Sequence, residues 1–175
     1  SRPARADLNQ PLSRADLQAC LPDVTSTLAF PELANPVSIY RDRWGIPHIL
    51  AAHEQDLFWA QGFATAQDRL WHMDGDRHQA LGRWSEFAGS AGLDRDRLLR
   101  AAGMGRTARL DLEVCSKAAL QMVEAYTAGV NAFIQTTATL PIEYRLLKTE
   151  PEPWESWHSL AVYKIRNSLL GSFEP

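Results

Sequence analysis

The sequence predicts an α+β chain, mostly helical, with one short β-hairpin. Three observations carry this expectation. Apolar residues recur every three to four positions from Glu54 onward, and again after residue 107. The stretch VSIYRDRWGIPHILAA instead has strand character on both sides of a Trp-Gly turn. Composition agrees: 175 residues, 45% hydrophobic and 22% charged, suit one globular domain with a substantial core.

Taken in order, residues 1–12 (SRPARADLNQPL) are polar with two prolines and read as a loose N-terminal arm, leaving 13–175 as the folded region. Ser13 is a good N-cap for a short helix carrying Leu17 and Leu21 and ending before Pro22. Residues 25–35 have no clear period. Val37, Ile39 and the run Ile46–Leu50 are strand material around the Trp44-Gly45 turn, and Pro47 places the second strand at an edge or near its start. Leu57, Ala60, Ala64, Gln67, Leu70, Asp74, His78 and Leu81 then share a helical spacing, which predicts a helix from Glu54 to about Phe87. Gly62, Gly75 and Gly82 weaken that helix slightly and permit close approach of another element. Residues 88–106 read as a loop with a short helical piece. A second long helix is expected over 107–136, with Leu120, Val123, Tyr126, Val130, Phe133 and Ile134 as its apolar stripe. A proline-punctuated connection follows, and Ser156 or Ser159 caps a last helix carrying Leu160, Ile165 and Leu169.

Bulk properties exclude several classes. A net charge of −3 leaves no basic footprint for nucleic acid. No apolar run approaches a membrane span or a signal-peptide core, and a removed export signal leaves the compartment open. Cys20 and Cys115 lie far apart without CxxC spacing; two buried thiols, or a disulfide in an oxidising compartment, both fit. Six tryptophans, at 44, 59, 71, 84, 154 and 157, are many for this length and suggest that some cover a partner surface.

The stretch AQDRLWHMDGDRH, residues 66–78, draws attention to itself. On one helix Asp68, His72 and Asp76 fall nearly on one face, with Asp74 and His78 beside them, a way to present metal ligands. The competing reading is a polar network, because Arg69, Arg77 and Arg83 alternate with Asp68, Asp74, Asp76 and Glu86; this is preferred, since no third ligand group converges. A Ser/His/Asp hydrolase lacks GxSxG, and GMGR lacks the framing of a phosphate loop. Ser1 is followed by charged, proline-broken sequence instead of a strand, so a trimmed end is expected there and not an N-terminal nucleophile.

Several motifs then occur in order: Arg41-Asp42, Gly45 and Pro47-His48-Ile49; Gly62-Phe63, Ala66 to Trp71 and Met73; Gly82, Ser85-Glu86 and Gly89; AYTAGVNAFI at 125–134; and PIEYRLL…EPEPWESWHSLAV. Together these resemble the α subunit of the penicillin acylase family, the heterodimeric N-terminal nucleophile amidohydrolases, with cephalosporin and acyl-homoserine lactone acylases the nearer in look. The resemblance covers about Val37 to Gly171.

It implies a precursor that cuts itself into a small α chain and a large β chain, which interlace into a four-layer αββα fold. The partner is then that β chain, and the substrate an N-acyl amide: a β-lactam antibiotic or an acyl-homoserine lactone. It implies a nucleophile at the first residue of the β chain, so none of the catalytic residues is in this chain. The α chain supplies the acyl pocket, which falls on Asn167, Leu169, Leu170, Gly171 and Phe173. No cofactor is implied; a structural calcium is held mainly by the β chain, and Glu174 is the nearest α-chain candidate. Arg41, Asp42, Gly45, Pro47, His48, Gln67, Asp68 and Arg69 are signature residues, with Asp68 and Arg69 expected to pin the long helix against the β-chain sheet. A periplasmic or secreted location follows. The rival from another class is a non-catalytic helical interaction module.

Overall fold

The computed structural model describes residues 11–171, without the side chains of Leu169 and Leu170. The elements are α1 (Arg14–Ala19), β1 (Ser38–Arg41), β2 (Pro47–Leu50), α2 (Glu54–Ala80), α3 (Ser85–Ala88), a 3₁₀ turn (Gly89–Gly92), α4 (Leu93–Ala102), α5 (Met104–Val114), α6 (Lys117–Thr136), α7 (Ile142–Leu146) and α8 (Ser156–Gly171). Helices thus dominate, with one two-stranded antiparallel sheet among the described residues. The chain forms two compact units: Ser1–Trp71 with Gln121–Pro153, and His72–Leu120 with Trp154–Pro175.

In the first unit, Ser13 caps α1 in a reciprocal box with Asp16, and the helix closes at Cys20, ahead of Pro22. The hairpin pairs Ser38 with Leu50, Ile39 with Ile49, Tyr40 with His48 and Arg41 with Pro47. Pro47 opens β2, where its missing N–H costs least. Gly45 turns the chain at φ +78, a conformation that suits glycine.

Two glycines let α2 and α6 touch backbone to backbone. A Cβ on Gly62 would lie 2.0 Å from the Tyr126 carbonyl oxygen, and one on Gly129 1.8 Å from that of Trp59. Around this crossing, Phe30, Trp59, Phe63 and Phe133 form a cluster: Trp59 stacks on Phe63 at 5.6 Å, and Phe133 meets Phe63 edge-on at 5.6 Å. The expected α6 stripe is present, with Val130, Phe133 and Ile134 buried and Leu120, Val123 and Tyr126 half-buried.

The second unit packs α5 against α8. Ala80, Ala108, Trp157, Ala161 and Ile165 form its core, flanked by Leu81, Leu99, Leu112 and Leu160. The alanines leave room for Trp157, whose other face carries the Arg109 guanidinium at 3.5 Å.

Three expectations are corrected. The first long helix stops at Ala80 instead of about Phe87, because Gly82 adopts φ +63 and the Arg83 N–H reaches the His78 carbonyl at 2.7 Å, a left-handed terminus. Residues 88–106 are mostly helical, with Gly103 at φ +68 separating α4 from α5. The expected 107–136 helix is two helices. Cys115 is extended at ψ 144, and the Ser116 hydroxyl accepts the Ala119 N–H at 3.2 Å, starting α6 afresh.

The last helix begins at Ser156, which leaves the capping position to Glu155 and not to Ser156 or Ser159. Ser159 instead accepts the Trp154 indole N–H at 3.0 Å, while His158 Nδ1 accepts the Glu155 N–H at 2.9 Å, the place a Glu or Gln takes in a capping box. Of the tryptophans, Trp59, Trp154 and Trp157 are buried, Trp71 and Trp84 half-buried, and Trp44 is 70% exposed. The excess of indoles therefore mostly fills the chain's own interior. Cys20 and Cys115 are free and half-buried, and burial is the main influence raising the Cys20 thiol pKa.

Candidate functional site

The signature residues of the hairpin and α2 meet at Arg41. From β1 its guanidinium donates to the Gly45 carbonyl at 3.1 Å, to Asp68 Oδ2 at 2.7 Å and to Gln67 Oε1 at 2.8 Å. Gln67 passes the connection on, its amide donating to the Asp23 carbonyl at 2.9 Å. One arginine thus joins the turn to α2 and, through Gln67, to the segment before β1.

Asp42 organises the turn itself. Its Oδ1 accepts the N–H groups of Trp44 at 2.9 Å and Ile46 at 3.0 Å, and its Oδ2 lies 3.3 Å from His48 Nε2. Desolvation pushes the carboxyl pKa up, but the Ile46 and Trp44 N–H groups and His48 outweigh it, so the pKa lies below its ordinary value. His48 stacks on Tyr40 at 5.0 Å with the rings 7° apart. Tyr40, Trp44, Ile46 and Leu50 are all more than half exposed, an apolar hairpin surface beside this rigid turn.

The stretch 66–78 is a set of ion pairs. Asp68 holds Arg41 within this chain. Asp74 holds Arg77 at 3.0 Å to Nε and 2.5 Å to Nη2, and its carbonyl meets His78 Nδ1 at 2.8 Å, all three side chains being buried. Asp76 pairs with Arg166 at 2.6 Å. Each of the three carboxylates therefore faces an arginine, which is the polar-network reading. The unbroken helix that the metal spacing assumes is interrupted at Arg69, an exposed residue with non-helical angles (φ −138, ψ 16). Among the described residues no group of three or more His, Cys, Asp or Glu is placed to hold a metal. No described helix is long and apolar enough to cross a membrane.

At the end of α8, Asn167 is exposed and its amide donates to the Tyr163 carbonyl at 2.8 Å, within its own helix. Gly171 is exposed at the helix terminus, with open space where a side chain would stand. The backbone of Leu169 and Leu170 is helical, while their side chains, Phe173 and Glu174 lie outside the described residues.

Two groups escaped the sequence reading. Buried Asp96 on α4 accepts the N–H groups of Trp84 at 2.8 Å and Ser85 at 2.7 Å, so the start of α3 is capped from another helix. Desolvation opposes ionisation of Asp96, but Ser85 and Trp84 outweigh it and keep its pKa below normal. No local signal announces a cap eleven residues away. Arg166 is the other, and its partners His72 and Asp76 were in view as candidate ligands without their arginine.

Comparison with known proteins extends these observations. The penicillin amidase family profile matches residues 36–174. Penicillin acylase 2 proenzyme of Pseudomonas sp. (strain SE83) is 49% identical over 159 residues, covering 91% of this chain and 20% of that protein. Acyl-homoserine lactone acylase QuiP of Pseudomonas syringae pv. syringae (strain B728a) is 31% identical over 156 residues, covering 89% of this chain and 19% of that protein. The chain thus spans about a fifth of the length of these curated relatives. A solved structure of a thermostable penicillin G acylase from Alcaligenes faecalis shares the fold, with a TM-score of 0.69 at 24% identity over 79% of this chain and 76% of that one. The matched span takes in the Arg41 hub, the α2–α6 crossing and α8 alike, and with it this chain belongs to the penicillin amidase family.

Proposed function

We propose that the chain is the α subunit of a heterodimeric acylase whose nucleophile lies in a larger β chain cut from the same precursor. One observation carries this reading: the chain matches a fifth of curated acylases, yet aligns over most of a solved penicillin G acylase chain of similar size. The word proenzyme in the name of the 49% identical relative supports processing. The exposed apolar hairpin surface supports a partner, since a two-stranded sheet is marginal alone.

In this reading residues 1–12 form an arm and 13–175 contribute to one interlaced αββα domain with the β chain. The β-chain N-terminal serine Oγ attacks the amide carbonyl carbon, and its proton passes to its own α-amine. Backbone and side-chain N–H groups of the β chain stabilise the oxyanion; the C–N bond breaks and the amine leaves with that proton. Water then cleaves the acyl ester, releasing the acid and restoring the serine. This chain's part is the acyl pocket around Asn167, Leu169, Leu170, Gly171 and Phe173, an apolar lining suited to an aliphatic or bulky acyl group. The substrate is the side-chain amide of a penicillin or cephalosporin, or an N-acyl-homoserine lactone, met in the periplasm; the consequence is antibiotic resistance or quorum quenching. The chemistry takes no resident cofactor, and any structural calcium is held mainly by the β chain.

Intact mass analysis of the native protein, followed by hydrolysis assays on penicillin G, a glutaryl cephalosporin and a long-chain acyl-homoserine lactone, tests the proposal. A second polypeptide of several hundred residues and turnover of at least one substrate class are expected. A folded chain with no second polypeptide and no turnover would leave the helical interaction module instead.

A further inference from the structure

We infer that Arg166 is a positioning residue: through Asp76 and His72 it fixes the last turns of α8, where the acylase reading puts the acyl pocket. The functional consequence rests on that reading; the geometry stands without it. Arg166 Nη2 lies 2.6 Å from Asp76 Oδ2 and 2.9 Å from His72 Nε2. A guanidinium has donors and no acceptor, so His72 Nε2 accepts and the ring proton sits on Nδ1. Asp76 and His72 are four residues apart on α2, so both bonds tie α8 to a single helix surface.

The position matters because, among the described side chains of α8, burial ends just before it. Ile165 is buried at 4%, whereas Arg166, Asn167, Ser168 and Gly171 are exposed. Asn167 turns its amide back onto its own helix, at the Tyr163 carbonyl. Beyond Ile165, then, the two Arg166 bonds tie the exposed turn of α8 to α2. The side chain of Arg166 is 48% exposed and that of His72 65%, against 16% for Asp76. Pairs this open to water contribute little to global stability, so loss of the tie acts locally, on the helix end.

The test uses the native processed enzyme with both chains, comparing wild type with Arg166→Ala, Asp76→Ala, Arg166→Lys and His72→Gln. The glutamine amide oxygen still accepts from Arg166, and lysine still reaches a carboxylate as a point charge. Hydrogen–deuterium exchange of the peptide spanning 163–171 is expected to quicken roughly fivefold or more in Arg166→Ala and Asp76→Ala, with an unchanged thermal midpoint. His72→Gln should keep the wild-type rate and Arg166→Lys recover part of it. Across N-acyl substrates of graded length, Arg166→Ala should raise KM about tenfold for the longest acyl group and leave kcat within about twofold. Unchanged exchange overturns the tie, and faster exchange with unchanged acyl-length preference overturns its role in the pocket. A wild-type enzyme that hydrolyses no N-acyl amide instead sinks the acylase reading, and the exchange data still decide the tie.

Discussion

The two units of this chain solve the problem of holding helices together in opposite ways. In the first, α2 and α6 meet at Gly62 and Gly129, so main chain touches main chain inside an aromatic cluster. In the second, α5 and α8 pack through alanines around Trp157, and charge goes inside: Asp74, Arg77, His78 and Asp96 are all at least 96% buried. The first arrangement leaves no room for added volume. The second is exposed to loss of a charge partner. Sequence type alone does not reveal which applies, since α2 carries both kinds of contact along its length.

The largest expected effect breaks the second arrangement. Arg77, 1% exposed, is the cation on buried Asp74 and lies 5.3 Å from the Trp154 ring centroid, so Arg77→Ala should cost about 3–5 kcal/mol in denaturant unfolding. Replacing both partners, Asp74→Leu with Arg77→Met, should recover part of that loss. A cost below about 1 kcal/mol for the single variant would show that the pair contributes little.

Next comes a comparison inside one helix. Gly62→Ala would drive a Cβ into the Tyr126 carbonyl and should cost about 3 kcal/mol, whereas at Gly75 the first neighbour is Trp84 Cζ3 at 3.7 Å, ordinary contact. Gly75→Ala should therefore stabilise by roughly 0.5–1 kcal/mol through helix propensity. The same substitution thirteen positions apart changes sign. Equal effects on the denaturant midpoint would remove the crossing as the cause.

The smallest effect is acidic. Asp16 is lowered from 3.8 to about 2, chiefly by the Ser13 hydroxyl and backbone N–H, with Arg145 assisting. Asp23 is lowered from 3.8 to about 2, chiefly by Ser26, with the backbone and side chain of Thr25 next. Because both folded values are depressed, the unfolded chain takes up these protons first. Their contribution is complete above the ordinary carboxylate range and is lost as pH falls through about 2. Amide signals of α1 and of Thr25-Ser26 should hold from neutral pH down to about 4 and shift below it. A transition already present near neutral pH would assign the order of these segments to other groups.

How much of this was legible follows from where each signal lies. The hairpin was readable because its determinants are local: Gly45 supplies the turn and Pro47 can only open an edge strand. The Ser13 cap and the α6 stripe were readable for the same reason. The breaks were not. Gly62, Gly75 and Gly82 look alike in sequence, but of the three only Gly82 takes a left-handed angle, and a Cβ there would run into Asp96 and Arg100 of another helix. The arginines were read as ion-pair partners, and Arg77 with Asp74 and Arg83 with Glu86 are such pairs; what that reading missed is the burial of Arg77. Arg77 falls on the apolar spacing of Leu70, Met73 and Ala80, and that spacing, more than its charge, foretold its burial. Among the signature residues, the pairing of Asp68 with Arg41 across 27 positions was not read from the sequence. The side chains of Leu169, Leu170 and Phe173 lie outside the described residues.

The contact at Gly62 and Gly129 sets more than a distance. With no side chain between them, neither helix can spin about its own axis without lifting its main chain off the other, so the azimuth of α2 is pinned like a keyed shaft. Gln67 and Asp68 lie about one and a half turns beyond the key, and their aim at Arg41 follows from it. A methyl group added at Gly129 would thus be registered at the hairpin turn, some eighty residues earlier in the chain, as a loosened Arg41.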